Sequence, residues 1–264
     1  MADDNTAGAE APGPVEPGHV RPEGPRNTDL PTRIGSAIVM VAVAAFCLWR
    51  GGWLLDLLVV LVAGTAYWEW QRIVRRMAAE TPLGTGKVLV WMLAGALYMG
   101  AAAWLLVNMP AQMVVFAILV TAFVDTFAYF AGRTIGGPKI APAISPSKTW
   151  AGLGGGVVGA TVALLLFMWA THAWQLGMFD NAAEVHDTYF VVFGGPELVI
   201  SALAAGAVLA IVAQAGDFFE SWMKRHAKLK DSSTLIPGHG GVFDRVDGLL
   251  PVSILVGLLT LVAS

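Results

Sequence analysis

Ten charged residues of this 264-residue chain fall between positions 217 and 247: Asp217, Glu220, Lys224, Arg225, Lys228, Lys230, Asp231, Asp244, Arg245 and Asp247. Asp217, Glu220, Ser221 and Lys224 are spaced i, i+3, i+4 and i+7, which places them on one face wherever the chain is helical. Asp244 and Asp247, three apart, align on one helical turn in the same way. Between these groups stands Pro237-Gly238-His239-Gly240-Gly241, a glycine-rich turn whose backbone N–H groups can approach an anion closely. Carboxylates beside such a turn and beside lysines and arginines suit a divalent metal that holds phosphate oxygens. Mg2+ takes a small number of hard oxygen ligands and leaves positions for substrate phosphates. The same residues also read as a solvated loop of mixed charge, held to anionic headgroups by its lysines. That reading leaves unexplained an aspartate directly after the 19-residue apolar run Leu198–Gly216, and four aspartates so close together.

A second group runs from Asp125 to Gly152. Asp125 sits inside an apolar run, where a carboxylate costs roughly 2.5–3.5 kcal/mol on insertion scales, so it must face a partner or a polar cavity. Asp125, Tyr129 and Gly132 share a helical face at i, i+4 and i+7, with Arg133 one residue further on. Gly136-Gly137-Pro138-Lys139 and Ser145-Pro146-Ser147-Lys148-Thr149 follow, a turn-rich loop whose lysines and hydroxyls can cradle a phosphate chain. Taken alone, the segment reads equally as a basic loop on one side of a membrane, with Asp125 paired to Arg133.

The elements that must position these residues follow from composition. Hydrophobic residues make up 56% of the chain and charged residues 13%, against about 25% charged in a soluble domain. The net charge of −3 gives no reason to expect a nucleic-acid partner. The single cysteine, Cys47, excludes an internal disulfide and lies in an apolar run as a packing residue. Residues 1–32 hold six acidic residues, two arginines, six prolines and four glycines. Such a stretch buries too little apolar surface to offset its ordering entropy, so it is expected to be a disordered tail.

Read against the roughly 20 residues that a bilayer core requires, the remainder gives seven spans: Ile34–Trp49, Trp53–Trp70, Val88–Val107, Ala111–Gly132, Ala151–Trp174, Leu198–Gly216 and a short Gly248–Ser264. The charge-free run Val88–Val124 would be about 56 Å long as one helix, and Asn108-Met109-Pro110 supplies the turn that divides it. No run alternates with the period of a barrel strand. The expectation is an all-α polytopic integral membrane protein of about seven transmembrane helices, its N-terminus cytoplasmic and residues 33–264 forming one catalytic domain. With that topology 15 of the 16 Lys and Arg lie inside and Arg50 alone outside, as the positive-inside rule requires.

The motif residues carry a resemblance. Ser221-Trp222-Met223-Lys224-Arg225, then Lys230-Asp231, then Pro237-Gly238-His239-Gly240-Gly241-Val242-Phe243-Asp244-Arg245-Val246-Asp247 resembles the signature of phosphatidate cytidylyltransferases (CDP-diacylglycerol synthases). Asp125-x3-Tyr129-x2-Gly132-Arg133 and Ser145-Pro146-Ser147-Lys148-Thr149-Trp150 resemble the same family. Two positions depart from it: Ala151 stands where many relatives are acidic, and Ser147 where a basic residue is common.

The resemblance implies transfer of CMP from CTP to phosphatidic acid, giving CDP-diacylglycerol and pyrophosphate. It implies Mg2+ on Asp217 and Asp244 first, with Asp231 and Asp247 as nearby ligands or supporting groups, and a monovalent cation such as K+ beside it. Lys148, Lys224, Arg225, Lys230 and Arg245 are implied as contacts to CTP or lipid phosphates, followed by Arg133, Ser145, His239, Gly240 and Gly241. Asp125 is expected to line the polar cavity, which is to lie at the cytoplasmic side of a bacterial plasma membrane. A homodimer is typical of the family. The rivals are a CTP-dependent kinase of a polyprenol or phytol-type alcohol and, from another class, a cation-coupled transporter using Asp125 and Asp217. The Asp-Arg-x-Asp ending argues against the kinase, and the one-sided basic residues argue against the transporter. A CDP-alcohol phosphotransferase lacks support because its Asp-Gly-x2-Ala-Arg pattern is absent.

Overall fold

A computed structural model describes residues 29–81, 84–175 and 196–263. Its helices are α1 (Asp29–Arg50), α2 (Trp53–Glu80), α3 (Thr85–Asn108), α4 (Ala111–Thr134), α5 (Trp150–Gln175), α6 (Pro196–His226), the single turn α7 (Phe243–Val246) and α8 (Leu249–Ala263). Two short antiparallel strands, β1 (Lys139–Ala141) and β2 (Ser145–Thr149), form a hairpin between α4 and α5. Among the described residues, six helices are long and apolar enough to cross a membrane. The seventh expected span corresponds to α8, whose 15 residues reach about 22 Å, short of a full crossing. The protein is an all-α integral membrane protein with one small hairpin.

Chain reversals occur where the sequence supplies them. Gly51 and Gly52 take φ 60 and 58 between α1 and α2, a left-handed conformation that a side chain would strain. At the expected turn, Asn108 Nδ2 donates to the Trp104 carbonyl at 2.8 Å, and Pro110 stands just before α4. Three boundaries differ from a reading based on charge-free runs. Helix α1 begins at Asp29, so the last four residues of the expected tail are helical. Helix α2 continues ten residues past Trp70 and α6 ten past Gly216. In α2 the extra turns bury Ile73, Val74 and Met77 on one face while Arg72, Arg75 and Arg76 lie exposed on the other. A charge therefore ends an apolar run without ending an amphipathic helix. The remaining tail residues, and residues 176–195 of the loop 175–196 expected outside the membrane, lie outside the described residues.

Lipid tails are as apolar as leucine, so helices in a bilayer associate by close packing, and small residues let backbones approach. Gly155 and Gly159 on α5 do this against α4. A Cβ on Gly155 would stand 2.6 Å from the Phe127 carbonyl oxygen, and one on Gly159 would stand 2.5 Å from that of Phe123. One core joins α4, α5, α6 and α8 through Val120, Val124, Ala160, Ala213 and Val252. A second joins α2, α3, the end of α6 and α7. Its centre is Trp70, 2% exposed, whose ring meets Trp91, Tyr98, Phe219 and Phe243 and whose Nε1 donates to the Trp91 carbonyl at 2.9 Å. Phe219 and Phe243 adjoin Glu220 and Asp244, so this aromatic group is the floor beneath the motif residues.

Gly159→Leu tests the α4–α5 contact. Backbone oxygen cannot move aside as a side chain can, so the substitution is expected to destabilise the protein by roughly 1–3 kcal/mol. In detergent this lowers the thermal midpoint, whereas Gly100→Leu, at a position open on its helix surface, leaves it unchanged.

Candidate active site

A cavity of about 730 Å³ opens where α4, β2, α6 and the 231–247 segment meet. Asp125, Tyr129 and Arg133 enter it from α4, Lys148 from β2, Gln214, Asp217, Glu220 and Lys224 from α6, and Asp231, Asp244, Arg245 and Asp247 from the following segment. The two groups of polar residues, about 70 positions apart in sequence, thus form one site.

Local chemistry explains each position. Thr149 ends β2 and caps α5, accepting the Gly152 N–H on its Oγ1 at 3.0 Å, so the preceding Lys148 is held at a fixed helix entrance. Lys148 Nζ forms an ion pair with Asp217 Oδ2 and so closes the first polar group onto the second. Arg133 does not pair with Asp125. Its Nη1 donates to the Tyr129 hydroxyl at 2.6 Å, and its guanidinium lies over that ring, which leaves Asp125 facing the cavity. On α6, which remains helical to His226, Ser221 Oγ donates to Asp217 Oδ1 at 3.4 Å. Lys224 Nζ reaches Glu220 Oε2 at 2.8 Å and Asp244 Oδ1 at 2.6 Å.

Asp244 and Asp247 share a helical turn but occupy different environments. Asp244 Oδ2 accepts the N–H of Ser232 at 2.9 Å and that of Gly241 at 2.8 Å, while Oδ1 holds Lys224. Burial works to raise the Asp244 carboxyl, but its hydrogen bonds to Glu220, Lys224 and Gly241 prevail and hold it well below the usual carboxylate range. Asp247 accepts the Gly248 N–H at 2.8 Å. Burial first, and then the nearby charge of Asp217, push it up to about 7. Lys148 is the converse case: burial works against its charge, yet Asp217 keeps the ammonium above its ordinary value.

Five of the expected contacts stand apart from the cavity wall with their own partners. The N–H groups of His239 and Gly240 donate to the Ile236 carbonyl at 2.9 and 3.2 Å, and that of Gly241 to Asp244. The glycine-rich turn therefore directs these donors at the chain itself. His239 Nδ1 lies 2.8 Å from Ser36 Oγ, and its carbonyl accepts Arg245 Nη2 at 2.8 Å. Ser145 is buried at the start of β2, and Arg225 Nε donates to the Ile144 carbonyl at 3.4 Å, bracing the hairpin. Lys230, a sixth, is exposed outside the lining.

Two participants were not foreseen. Gln214, 4% exposed, stands in the cavity wall with Glu220, and its Nε2 and the Glu220 Oε1 are buried without a hydrogen-bond partner. Glu69 on α2 is 0% exposed and accepts four donors, Ser233 Oγ at 2.5 Å, Phe243 N at 2.6 Å, Ser232 Oγ at 2.9 Å and Val242 N at 3.0 Å. The Ser232 hydroxyl also stands 3.0 Å from Asp244 Oδ2, and its single proton serves one carboxylate at a time. The only sequence signal for Glu69 is a carboxylate between two tryptophans in an apolar run. Its partners lie more than 160 positions away.

Glu69→Gln leaves one acceptor oxygen where four donors converge and turns an NH2 group toward the rest. Each charged hydrogen bond lost is expected to cost roughly 1.5–3 kcal/mol, seen as a lower unfolding midpoint, while Asp56→Asn on the same helix is silent. A Glu69→Gln protein as stable as the parent removes the clamp. For Asp247, a folded-state pKa above the unfolded value means that the folded protein binds the extra proton. Stability of the metal-free protein therefore falls as pH rises from about 4 to about 7. Asp247→Asn should flatten that part of a thermal-midpoint profile.

A model of the cytidylyltransferase family matches residues 31–115 and 107–262. The phosphatidate cytidylyltransferase of Brucella abortus biovar 1 is 31% identical over 274 aligned residues, which cover 88% of this chain and 93% of that protein. The phosphatidate cytidylyltransferase of Haemophilus influenzae is 40% identical over 128 residues, 47% of this chain and 37% of its own. That of Rickettsia felis is 37% identical over 139 residues, 52% and 54% of the two chains. A cavity built from both motif groups, a family match along nearly all of the described helices and a relative aligned almost end to end lead to one conclusion: the chain belongs to the cytidylyltransferase family.

Proposed function

We propose that this protein transfers CMP from CTP to phosphatidic acid, giving CDP-diacylglycerol and pyrophosphate. The observation that carries the reading is the Lys148–Asp217 ion pair, which joins the cationic hairpin to the carboxylates of α6 around one cavity at the ends of apolar helices. In the reaction a phosphate oxygen of phosphatidic acid attacks the α-phosphorus of CTP, and the bond from that phosphorus to the bridging oxygen breaks as pyrophosphate leaves. The nucleophile is already an anion near neutral pH, so no side chain has to remove a proton from it. The protein's task is to hold two polyanions together and to meet the charge that moves onto pyrophosphate. Lys148, Arg133, Lys224 and Arg245 are the cations that line the cavity for this purpose.

The donor set fits a divalent cation. Asp217 and Asp247 face the cavity closely enough for one charge to raise the other's carboxyl, and the buried Glu220 Oε1 has no partner. Hard carboxylate oxygens of this kind suit Mg2+. Asp217 and Asp247 would hold it, with Asp231 elsewhere on the same cavity wall, while Asp244, already engaged by Lys224, Ser232 and Gly241, orders the segment. Bound there, the cation would neutralise charge on the triphosphate. The cavity lies at the end of the molecule where basic residues collect, which supports a cytoplasmic site in a bacterial plasma membrane. The lipid would keep its chains in the bilayer while CTP enters from water.

Incubating the purified protein with CTP labelled at the α- or γ-phosphate, phosphatidic acid and Mg2+ distinguishes the readings. Label from the α-position on lipid, with pyrophosphate released, is the expected outcome. Label from the γ-position on a lipid alcohol would instead establish a kinase. Asp217→Asn and Lys148→Met are each expected to lower turnover roughly 100-fold or more while the protein still inserts. Near-normal turnover in either would sink the assignment of that residue.

A further inference from the structure

The outward face of α2 carries a second concavity, of about 630 Å³, at the Glu80 end of the helix. Trp68, Arg72, Arg75, Arg76 and Ala79 line it, and Leu229 closes it from the segment that leaves α6. The α2 residues are spaced i, i+4, i+7, i+8 and i+11 and therefore form one stripe, opposite the buried Ile73, Val74 and Met77.

The facing wall is a defined turn. Lys228 has φ 53, its N–H donates to the Arg225 carbonyl at 3.1 Å, and the Leu229 N–H donates to the Lys224 carbonyl at 2.8 Å. This is a Schellman-type helix end with lysine in the left-handed position that glycine favours. Lys228 Nζ pairs with Glu80 at 2.6 Å, which ties the turn to α2 and occupies the carboxylate at that end of the stripe. Arg75 reaches Gln71 Oε1 at 3.3 Å. Among the described residues, none of the three guanidiniums has a carboxylate within ion-pair distance.

The order of side chains along this face selects the ligand. From the Trp53 end come Leu57 and Leu61, 46% and 58% exposed, then Trp68, 52% exposed, and then the arginines. Apolar side chains, an indole and guanidiniums are what acyl chain, interface and headgroup phosphate require in turn. A free phosphate has no use for the leucines or the indole. We propose that this face binds an anionic phospholipid, its headgroup phosphate among Arg72, Arg75 and Arg76 and an acyl chain along Trp68 and Leu61. The bound lipid packs on Leu229, in the turn between Lys224 and Asp231, and so steadies a segment that carries two residues of the active-site cavity.

The test uses the full chain, delipidated in detergent, with native mass spectrometry to count bound dioleoyl phosphatidylglycerol or dioleoyl phosphatidylcholine. The parent protein should retain the anionic lipid roughly tenfold or more tightly than the zwitterionic one. The R72Q/R75Q/R76Q variant should lose that preference, and Lys87→Gln should keep it. Should the triple variant unfold, Arg72→Gln and Arg76→Gln singly are each expected to weaken retention. Equal binding of the two lipids by the parent, or undiminished preference in the variants, overturns the proposal. Displacement of the lipid by an equal concentration of inorganic phosphate overturns the lipid assignment in favour of a free-anion site.

Discussion

A carboxylate withdrawn from water inside a helix bundle must be met by donors, and Glu69 sets the geometry of this protein through that requirement. A buried charge without partners costs several kcal/mol. The donors that meet it here are two serine hydroxyls and two backbone N–H groups between Ser232 and Phe243. One residue on α2 therefore fixes the course of the segment that follows α6, and its neighbour Trp70 packs the aromatic floor below. The segment contains no long helix or strand, and these charge-assisted bonds do what a ladder of backbone bonds would otherwise do. Asp244 repeats the device one layer closer to the cavity, tying Ser232, Gly241 and Lys224 together.

This arrangement divides the acidic residues into two kinds. Glu69 and Asp244 are satisfied by the chain and hold it in place. Asp125, Asp217 and Asp247 face the cavity close enough together for their charges to add to burial in raising Asp247, and Lys224 offsets only part of that repulsion. Residues of one type within one short segment thus serve order or chemistry according to how many donors the fold brings to them. The glycine-rich turn follows the same logic: its N–H groups order the chain, and the cations that meet the cavity come from α4, β2, α6 and Arg245.

The surrounding helices work under the constraint of the bilayer. Apolar side chains face outward on α1, α2 and α3 without any partner being needed, and helix contact relies on shape, as at Gly155 and Gly159 against the α4 backbone. The exception is the arginine stripe of α2, where charge, indole and leucine succeed one another along the surface in the order of a lipid monolayer. That face and the active-site cavity meet through the turn at Lys228 and Leu229.

The sequence by itself determined the class of the protein, because scarcity of charge and runs of apolar residues follow directly from the solvent that the chain must match. It also determined the family and the two segments that carry the site, because Asp217, Glu220 and Lys224 lie at helical spacing and Asp125, Tyr129 and Gly132 share a face. Local spacing governs such patterns, so they are visible without a fold. Only the tertiary structure decided that Lys148 meets Asp217, that Glu69 is the clamp and that Gln214 stands in the cavity wall, since these arrangements join residues tens to more than a hundred positions apart. It also decided that Arg133 turns to Tyr129 rather than Asp125, and that the turn at Gly240 binds the chain's own carboxylate. A donor's partner is the acceptor nearest in space, and for Lys148 and for the donors to Glu69 that neighbour is far away in sequence.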